Sequence, residues 1–245
     1  MIKAYAKSDV GKARERNEDS FYITDDPLKD LQLFILADGM GGCNGGEIAS
    51  RLAVASCKNY IENNFNDTPK EKENLMQLVA SSMEYANMIV YEKSLGSREL
   101  EGMGTTLEVC LIYNNRAYIG HVGDSRIYRI RKGFTRKITQ DHSYVQKLVQ
   151  EGTITREEAE HHPKKNMLMK ALGCNAFVEP DVMVKGFQKE DILIMCSDGL
   201  TNMVDIQNIY EVAEEEFEAA PKELINMANQ NGGMDNITII IIKNL

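Results

Sequence analysis

Short apolar runs separated by turn residues make up most of the hydrophobic pattern of this 245-residue chain. Some runs alternate apolar and polar positions, and others are continuously apolar, as expected for strands with one or both faces buried. Asn114 and Asn115 separate two of these runs and predict a two-residue hairpin turn. Consecutive strands joined by short turns favour antiparallel sheets over a repeated strand-helix-strand unit. The predicted strands cover residues 2–8, 21–24, 31–37, 105–113, 116–122, 127–131, 134–137, 178–186, 192–196 and 237–243.

Helical patterns fill the intervals between these strands. They extend over about residues 46–65, 68–95, 206–217 and 221–231, and a shorter helix begins after Thr155. Thr68 is predicted to cap the second helix, with Pro69 at the first helical position and Glu71 completing a capping box. Thr155 opens a second capping box, in the sequence Thr-Arg-Glu-Glu.

A polar, locally helical segment at residues 141–166 lies between β-rich regions. We expect it to form a flap over one edge of the core. The chain shows no repeat, low-complexity tract or linker, and its length suits one large domain. The sequence therefore predicts a single domain over residues 1–245 with a flap insertion at about residues 141–166.

Composition narrows the class of protein. No apolar run has the length of a bilayer-spanning helix, and residues 1–7 lack a secretory signal pattern, which predicts a cytoplasmic protein. The net charge of −9 argues against a nucleic-acid-binding protein. The one basic cluster, residues 126–137, is interpreted as the solvated faces of two strands rather than an anion site. The five scattered cysteines contain no C-x-x-C pair and fit reduced, mostly buried thiols.

Acidic residues recur where predicted strands end. Asp38-Gly39 and Asp198-Gly199 each lie just beyond a strongly apolar run. Glycine has no Cβ, so its backbone can approach whatever the neighbouring carboxylate binds. A single aspartate at such a position is usually a cap or turn former, but several of them together suggest that they converge. Asp19, Asp124 and Asp235 likewise lie at or near predicted strand ends, and Glu18 directly precedes Asp19.

Converging carboxylates predict a metal site. Several carboxylates remain ionised side by side only when cations neutralise them. Carboxylate oxygens select Mg²⁺ or Mn²⁺, whereas zinc would favour nearby histidine or cysteine. Two such ions close together can activate a water and hold the oxygens of a phosphate. Arg14 would then add a forked cation that grips phosphate oxygens at two points.

The motifs in series resemble those of the metal-dependent protein phosphatases, also called the type 2C serine/threonine phosphatases. They read RERNED at residues 14–19, DGMGG at 38–42, GDSR at 123–126, SDG at 197–199 and DN at 235–236. The resemblance covers essentially the whole chain, and the phrases TQDHS at residues 139–143 and MKALG at 169–173 resemble the bacterial branch. It implies an α+β fold, an α-β-β-α sandwich of two antiparallel sheets flanked by helices, with the metal site at one end.

The resemblance also implies roles for individual residues. Asp38 would bridge two metal ions, and Gly39 would offer its carbonyl oxygen to one of them. Asp198 and Asp235 would complete the shell of the first ion. The remaining implied roles are a third, weaker metal at Asp124, water-mediated or orienting contacts from Glu18 and Asp19, and substrate phosphate binding by Arg14.

Met40 departs from the pattern of eukaryotic members, which often carry a histidine directly after the Asp-Gly pair. That histidine is the proposed general acid for the leaving alcohol, and methionine has no proton to donate. Our hypothesis is that a metal-bound water supplies the proton, because a metal lowers the pKa of its water.

The histidines outside the motifs are interpreted as structural. His121 lies in a strand beside the GDSR turn, where a hydrogen-bonded role is favoured over catalysis. His142 is expected to cap the start of the flap. His161 and His162 lie within the flap and are expected at its surface or in contact with substrate.

The predicted activity is Mn²⁺- or Mg²⁺-dependent hydrolysis of phosphoserine and phosphothreonine in proteins by a water activated between two metals. The resemblance implies phosphorylated proteins and a bacterial eukaryotic-type serine/threonine kinase as partners. From the net charge and the short apolar runs we expect no nucleic acid and no membrane as partners, and we expect a monomer. Two alternatives stay open. One is a phosphoprotein-binding pseudophosphatase, although Asp38, Asp198 and Asp235 are all retained. The other is a stress-signalling phosphatase that acts on anti-sigma-factor antagonists.

Overall fold

Two antiparallel sheets form the centre of the molecule in the computed structural model, which describes residues 1–24, 26, 30–41 and 45–245. Within the described residues, one sheet has the strand order β1-β11-β10-β7-β8, and the other has the order β2-β3-β5-β6-β9 with β4 paired to β3. The strands are β1 (Ile2–Asp9), β2 (Asp19–Ile23), β3 (Gln32–Met40), β4 (Gly104–Thr105), β5 (Leu107–Tyr113), β6 (Arg116–Val122), β7 (Arg126–Arg131), β8 (Phe134–Lys137), β9 (Asp181–Gly186), β10 (Ile192–Cys196) and β11 (Ile237–Asn244).

Helices cover the outer face of each sheet. The chain runs from β3 into α1 and α2, which pack on the second sheet, and ends with α6 and α7 packed on the first. The helices are α1 (Gly45–Asn64), α2 (Lys72–Leu95), α3 (Tyr144–Gln150), α4 (Arg156–Glu160), α5 (Asp198–Thr201), α6 (Ile206–Glu215) and α7 (Ala220–Gln230), with a 3₁₀ turn at Arg98–Leu100. The layers therefore follow the order α-β-β-α.

Side-chain alternation along the strands explains why two sheets and two helical layers fit together. On β3, Leu33 and Ile35 join the core beneath α1 and α2, whereas Phe34 and Leu36 point between the sheets. On β11, Ile239 joins the core beneath α6 and α7. Both faces of these strands are buried, which accounts for their continuously apolar sequences.

The hairpin predicted at Asn114-Asn115 is confirmed. It joins β5 to β6, and both residues have positive φ, 47° and 56°. Asparagine tolerates this left-handed conformation, which a two-residue hairpin of this type requires at both positions.

One of the two predicted helix caps is wrong. Helix α2 begins at Lys72 after Glu71, without a side-chain cap hydrogen bond. Thr68 instead donates its hydroxyl to the carbonyl of Asn64 at 2.8 Å, so it closes the end of the preceding helix. The capping box at Thr155 is confirmed, with hydrogen bonds in both directions between Thr155 and Glu158.

The structure also bears on the predictions for the strand at residues 178–186, the cysteines and membrane-spanning helices. The strand expected at residues 178–186 begins at Asp181. Cys57, Cys110 and Cys196 are buried free thiols and Cys174 is exposed, while Cys43 lies outside the described residues. Within the described part of the chain, no helix has the length and hydropathy to cross a bilayer.

Three cations of the basic cluster at residues 126–137 are paired with buried carboxylates rather than simply solvated. Arg126 and Lys137 both donate to Asp141, and Arg131 donates to Asp191. The carboxyl groups are almost fully buried, at 8% and 2% exposed, so the cations compensate their charges. The prediction of solvated faces failed because these acidic partners are distant from their arginines in sequence.

The interior between the sheets gives a stability prediction. Phe34→Ala, at a fully buried side chain, should lower the free energy of unfolding by about 3–5 kcal/mol because it opens a cavity between two packed sheets. Phe134→Ala is the matched control, since Phe134 is 78% exposed and its loss should change that free energy by less than about 0.5 kcal/mol. Urea denaturation of the two variants measures both, and equal losses would contradict the layer assignment.

Candidate functional site

Pairing of β2 with β3 places Asp19 directly opposite Asp38 at one end of the second sheet. The backbone of Asp38 is held on both sides by one threonine. Its N–H donates to Thr106 Oγ1 at 2.9 Å, and its carbonyl accepts from the N–H of Thr106 at 2.9 Å. Thr106 was not predicted as a site residue, because nothing local in the sequence marks its contact with β3.

Gly39 lies where any side chain would collide with backbone. A Cβ at this position would lie 2.2 Å from the carbonyl oxygen of Gly46 and 2.6 Å from that of Glu18. The start of α1 can therefore approach β3 only if this residue is glycine. The sequence predicts that the Gly39 backbone approaches whatever Asp38 binds, and this stays a prediction, because the close approach in the structure is that of the Gly46 and Glu18 backbone.

Asp198 is the first residue of the short helix α5, which the sequence analysis did not predict. Asn202 donates its side-chain amide to Asp198 Oδ2 at 3.1 Å. The helix sits tightly against the loop before β11, since a Cβ on Gly199 would lie 2.0 Å from the carbonyl oxygen of Asn236. This contact fixes the distance between Asp198 and the DN motif.

Asn236 organises the loop that carries the RERNED motif. Its side-chain amide donates to the carbonyls of Val10 and Arg16 at 2.9 and 2.8 Å, and its Oδ1 accepts from the N–H of Glu18 at 2.8 Å. In the sequence, Asn236 stands out only as part of the DN motif. The structure shows that it holds the loop containing Arg14 against the end of β11.

Asp124 lies in the turn between β6 and β7. Gly123 makes the turn possible with φ of 119°, in the region that favours glycine. Ser125 shares a hydrogen bond of 2.9 Å with Thr106, so the Asp124 turn and the Asp38 strand end are tied to the same residue.

These elements surround an acidic cleft of about 580 Å³ at one end of the sandwich. It brings together every predicted site residue except Asp19, which lies beneath it and accepts a 2.9 Å hydrogen bond from Ser197 Oγ. No histidine lines the cleft among the residues that the structure describes, and Met40 is part of its wall. The lining residues are Arg14, Glu15, Arg16, Glu18, Asp38, Gly39, Met40, Gly41, Thr106, Asp124, Asn166, Leu168, Asp198, Asp235 and Asn236.

Arg14 is the cation at the mouth of the cleft. Its guanidinium donates to Asp235 Oδ2 at 2.9 Å and is 52% exposed, so one edge remains available to solvent. The charge of Asp235 raises the pKa of Arg14, with smaller contributions from Glu18 and Asp38. Arginine is charged at all relevant pH values and offers a planar fork of donors for an oxyanion.

Burial and mutual repulsion raise the pKa values of Asp19, Asp38 and Asp124. Burial raises the pKa of Asp19 to about 7, against the opposing hydrogen bond from Ser197. Burial and repulsion by Asp198 and Asp141 raise the pKa of Asp124 to about 7 as well. Burial, with repulsion from Asp19 and other carboxylates, puts the pKa of Asp38 well above its ordinary value. Ionising all of these groups together is therefore unfavourable without a cation.

The donor set fits a hard divalent cation. It consists of carboxylate oxygens with the Gly39 backbone alongside, and Asp19 Oδ1 is buried without a hydrogen-bond partner among the described residues. In the described part of the chain, no three His, Cys, Asp or Glu side chains form a group that could hold a metal by themselves. Mg²⁺ usually keeps several waters and takes one or two carboxylates together with substrate phosphate, so it does not require an all-protein cage.

The chain is similar to characterised phosphatases along its whole length. The protein phosphatase 2C family model matches residues 11–239. The serine/threonine phosphatase Stp of Listeria innocua is 37% identical over 246 residues, which cover 99% of this chain and 96% of that protein.

Solved structures agree with the fold. The serine/threonine phosphatase of S. agalactiae superposes with a TM-score of 0.91 at 35% identity, covering 100% of both chains. The catalytic domain of the phosphatase PstP, solved in complex with two manganese ions, superposes with a TM-score of 0.86 at 35% identity, covering 99% of this chain and 97% of that one. The predicted α-β-β-α sandwich is confirmed.

Carboxylate repulsion predicts a pH-dependent stability of the metal-free protein. The pKa of Asp19 is about 7 against an ordinary value of 3.8, so the folded state binds this proton more tightly than the unfolded state. Its contribution to stability is therefore present below about pH 4 and is lost as the pH rises through 7. Asp19→Asn removes the ionisation, and in EDTA it should raise Tm relative to wild type by a few degrees more at pH 8 than at pH 5.5, given roughly 2–4 °C per kcal/mol at this chain length.

Differential scanning calorimetry at the two pH values measures this effect. Asp67→Asn, at an exposed loop position, is the matched control and should shift Tm equally at both. If Asp19→Asn also gave equal shifts, the raised pKa of Asp19 would be wrong.

Proposed function

This chain belongs to the protein phosphatase 2C family, and from that premise we propose that its acidic cleft hydrolyses phosphoserine and phosphothreonine in proteins with Mn²⁺ or Mg²⁺. The enzyme class, serine/threonine phosphatase, is that of its bacterial relatives. The observation that carries the proposal is the meeting of Asp38, Asp124, Asp198 and Asp235 with Arg14 in one cleft. Several carboxylates beside the forked cation of Arg14 suit a phosphate held between metal ions and a guanidinium.

The carboxylates of the cleft are proposed to hold the metal ions. Bound there, Mn²⁺ or Mg²⁺ would supply positive charge for the phosphate oxygens and would lower the pKa of water so that it can attack phosphorus. The residues proposed for two core ions are Asp38, Gly39, Asp198 and Asp235, with Asp124 for a third, weaker ion and Glu18 and Asp19 acting through water or by orienting the others.

Arg14 is proposed to bind the substrate phosphate. Its pairing with Asp235 at 2.9 Å holds the guanidinium at the cleft mouth, and its exposed edge faces solvent from which a phosphorylated side chain would arrive. A guanidinium can hold two phosphate oxygens at once, which orients phosphorus for in-line attack and stabilises the charge that develops on the oxygens.

Thr106 and Asn236 are proposed to position the reacting groups without themselves taking part in the reaction. Thr106 fixes the Asp38 backbone, and Asn236 fixes the loop of Arg14. The proton for the leaving serine or threonine oxygen must come from a group other than Met40, which has none, and we assign it to water in the cleft. A rate that is unchanged in D₂O would count against such a transfer.

The substrates imply an opposing enzyme. Phosphoserine and phosphothreonine in proteins arise from serine/threonine kinases, so we propose that this phosphatase counteracts such a kinase.

We also propose that residues 1–245 act as one catalytic domain, that residues 141–166 border the cleft as a flap, and that the protein is a monomer. The flap proposal is supported by Asn166 and Leu168, at the end of that segment and just beyond it, which line the cleft.

Metal-dependent turnover is the direct test. Hydrolysis of p-nitrophenyl phosphate and of a phosphothreonine peptide should rise from baseline as Mn²⁺ is added to metal-free protein. Asp38→Asn should lower kcat by at least about 10²-fold, because it removes the central charge of the donor set. Asp67→Asn, the exposed control, should leave kcat unchanged. Folded protein that binds a phosphopeptide without hydrolysing it at any Mn²⁺ or Mg²⁺ concentration would favour the alternative of a phosphoprotein-binding pseudophosphatase.

The role of Arg14 is tested separately. Arg14→Ala should lower kcat/KM by roughly 10- to 100-fold, because a hydrogen bond to a charged group contributes about 1.5–3 kcal/mol. Arg14→Lys should recover part of this loss, since it keeps the charge without the fork. Arg51→Ala is the matched control, because Arg51 is another exposed arginine paired with one acidic residue, Glu47. Steady-state kinetics with p-nitrophenyl phosphate measure all three, and equal values for Arg14→Ala and Arg51→Ala would rule out phosphate binding by Arg14.

A further inference from the structure

His142 lies where the Asp124 turn meets the base of the polar segment at residues 141–166. Its backbone N–H donates to the carbonyl of Gly123 at 2.7 Å, and its carbonyl accepts from the N–H of Met169 at 2.7 Å. Ser143 and Leu168 form an antiparallel bridge next to it. One residue therefore connects the turn that carries Asp124 to both ends of this segment.

The hydrogen bonds of the His142 ring define its tautomer. Nδ1 faces the backbone N–H of Gly123 at 3.1 Å, and an N–H can only donate, so Nδ1 must carry a lone pair. Nε2 faces Asp181 Oδ2 at 3.2 Å, and a carboxylate accepts, so the proton lies on Nε2. The ring must therefore be neutral with its proton on Nε2. The opposite tautomer would set one N–H against another.

The surroundings of the ring favour this neutral state. The ring is only 11% exposed and lies 4.5 Å from the His121 ring, which shares a hydrogen bond of 2.7 Å with the buried Glu108. Burial, together with the nearby charge of His121, lowers the pKa of His142. Asp181 acts in the opposite direction, but Lys170 partly neutralises it at 3.4 Å.

We propose that His142 is a positioning residue, whose neutral Nε2-protonated imidazole joins Gly123 to β9 and so holds Asp124 and the base of residues 141–166 in one arrangement. The two hydrogen bonds between His142 and Gly123, one from the backbone and one to the ring, fix the turn immediately before Asp124. The same residue accepts the backbone hydrogen bond from Met169, which follows the cleft-lining Leu168. The effect on turnover rests on the proposed function, whereas the tautomer and the hydrogen bonds do not.

Two substitutions separate the two ring nitrogens. In His142→Asn, the side-chain oxygen takes the place of Nδ1 and can still accept from Gly123, but nothing reaches Asp181. In His142→Gln, the longer amide reaches the place of Nε2 and leaves the Gly123 N–H without its acceptor. Neither variant can be protonated, and they differ by one methylene group.

The wild-type ring is examined first by long-range ¹H–¹⁵N NMR of histidine at pH 7.5. His142 is assigned among the four histidines by the signal that disappears in both variants. We expect the ¹⁵N shifts of a neutral ring with the proton on Nε2. A signal from the Nδ1-protonated tautomer or from a cationic ring would overturn the proposal.

Amide exchange and kinetics then test what the ring does. In His142→Gln, exchange of the Gly123 amide should accelerate at least about tenfold and kcat for p-nitrophenyl phosphate should fall roughly tenfold, with KM changed less than about twofold, because placement rather than phosphate binding is lost. His142→Asn should retain wild-type exchange at Gly123 and most of kcat. Equal exchange at Gly123 in the two variants would overturn the proposal.

The measurement of amide exchange at Gly123 does not depend on catalysis. Suppose that the wild-type protein had no phosphatase activity, but that the Gly123 amide exchanged faster in His142→Gln than in His142→Asn. The proposed function would then fail, while the positioning role of His142 would stand. If wild-type activity were metal-dependent but both variants retained it fully, the proposed function would stand and the link from His142 to turnover would be wrong.

Discussion

Repulsion among carboxylates gathered at one end of the sandwich is the constraint that shapes the surrounding structure. Burial and neighbouring negative charge raise the pKa values of Asp38 and Asp198. The folded chain therefore holds carboxylates close together that would repel one another when ionised. Backbone contacts supply the opposing restraint, through Thr106 at one strand end and Asn236 at another. A divalent ion would remove this repulsion, which is the physical reason for proposing a metal at this end of the sandwich.

The sheets make such a site possible because their strands are buried on both faces. The apolar cores on either side of β3 fix its direction and register, and its end therefore presents Asp38 at a defined place. A one-residue slip would exchange the two faces and turn Asp38 away from Asp19. Tight backbone contacts at Gly39 and Gly199 then bring α1 and α5 close to the same point. Stability and function thus depend on the same packing, in which the hydrophobic interior holds a polar rim in place.

The polar network beside the cleft adds a second level of organisation. Arg126 donates to both Asp141 and Thr201, and thereby joins the start of residues 141–166 to α5, which begins with Asp198. His142, the next residue, joins the same segment to the Asp124 turn. The two neighbouring residues Asp141 and His142 therefore connect the cleft-bordering segment to two of the proposed metal-binding carboxylates.

The sequence by itself determined that the strands form antiparallel sheets, that a hairpin lies at Asn114-Asn115, and which carboxylates lie at strand ends, whereas the α-β-β-α layering followed from the resemblance to the type 2C phosphatases. These signals are local, because strand periodicity, turn residues and Asp-Gly pairs depend on neighbours in the chain. Only the tertiary structure decided that those carboxylates share one cleft, that Thr106 and Asn236 hold two of its walls, and that Arg126 is paired rather than solvated. Each of these depends on contacts such as Ser197 to Asp19, across 178 residues, that strand register and layer packing create and that no local pattern encodes.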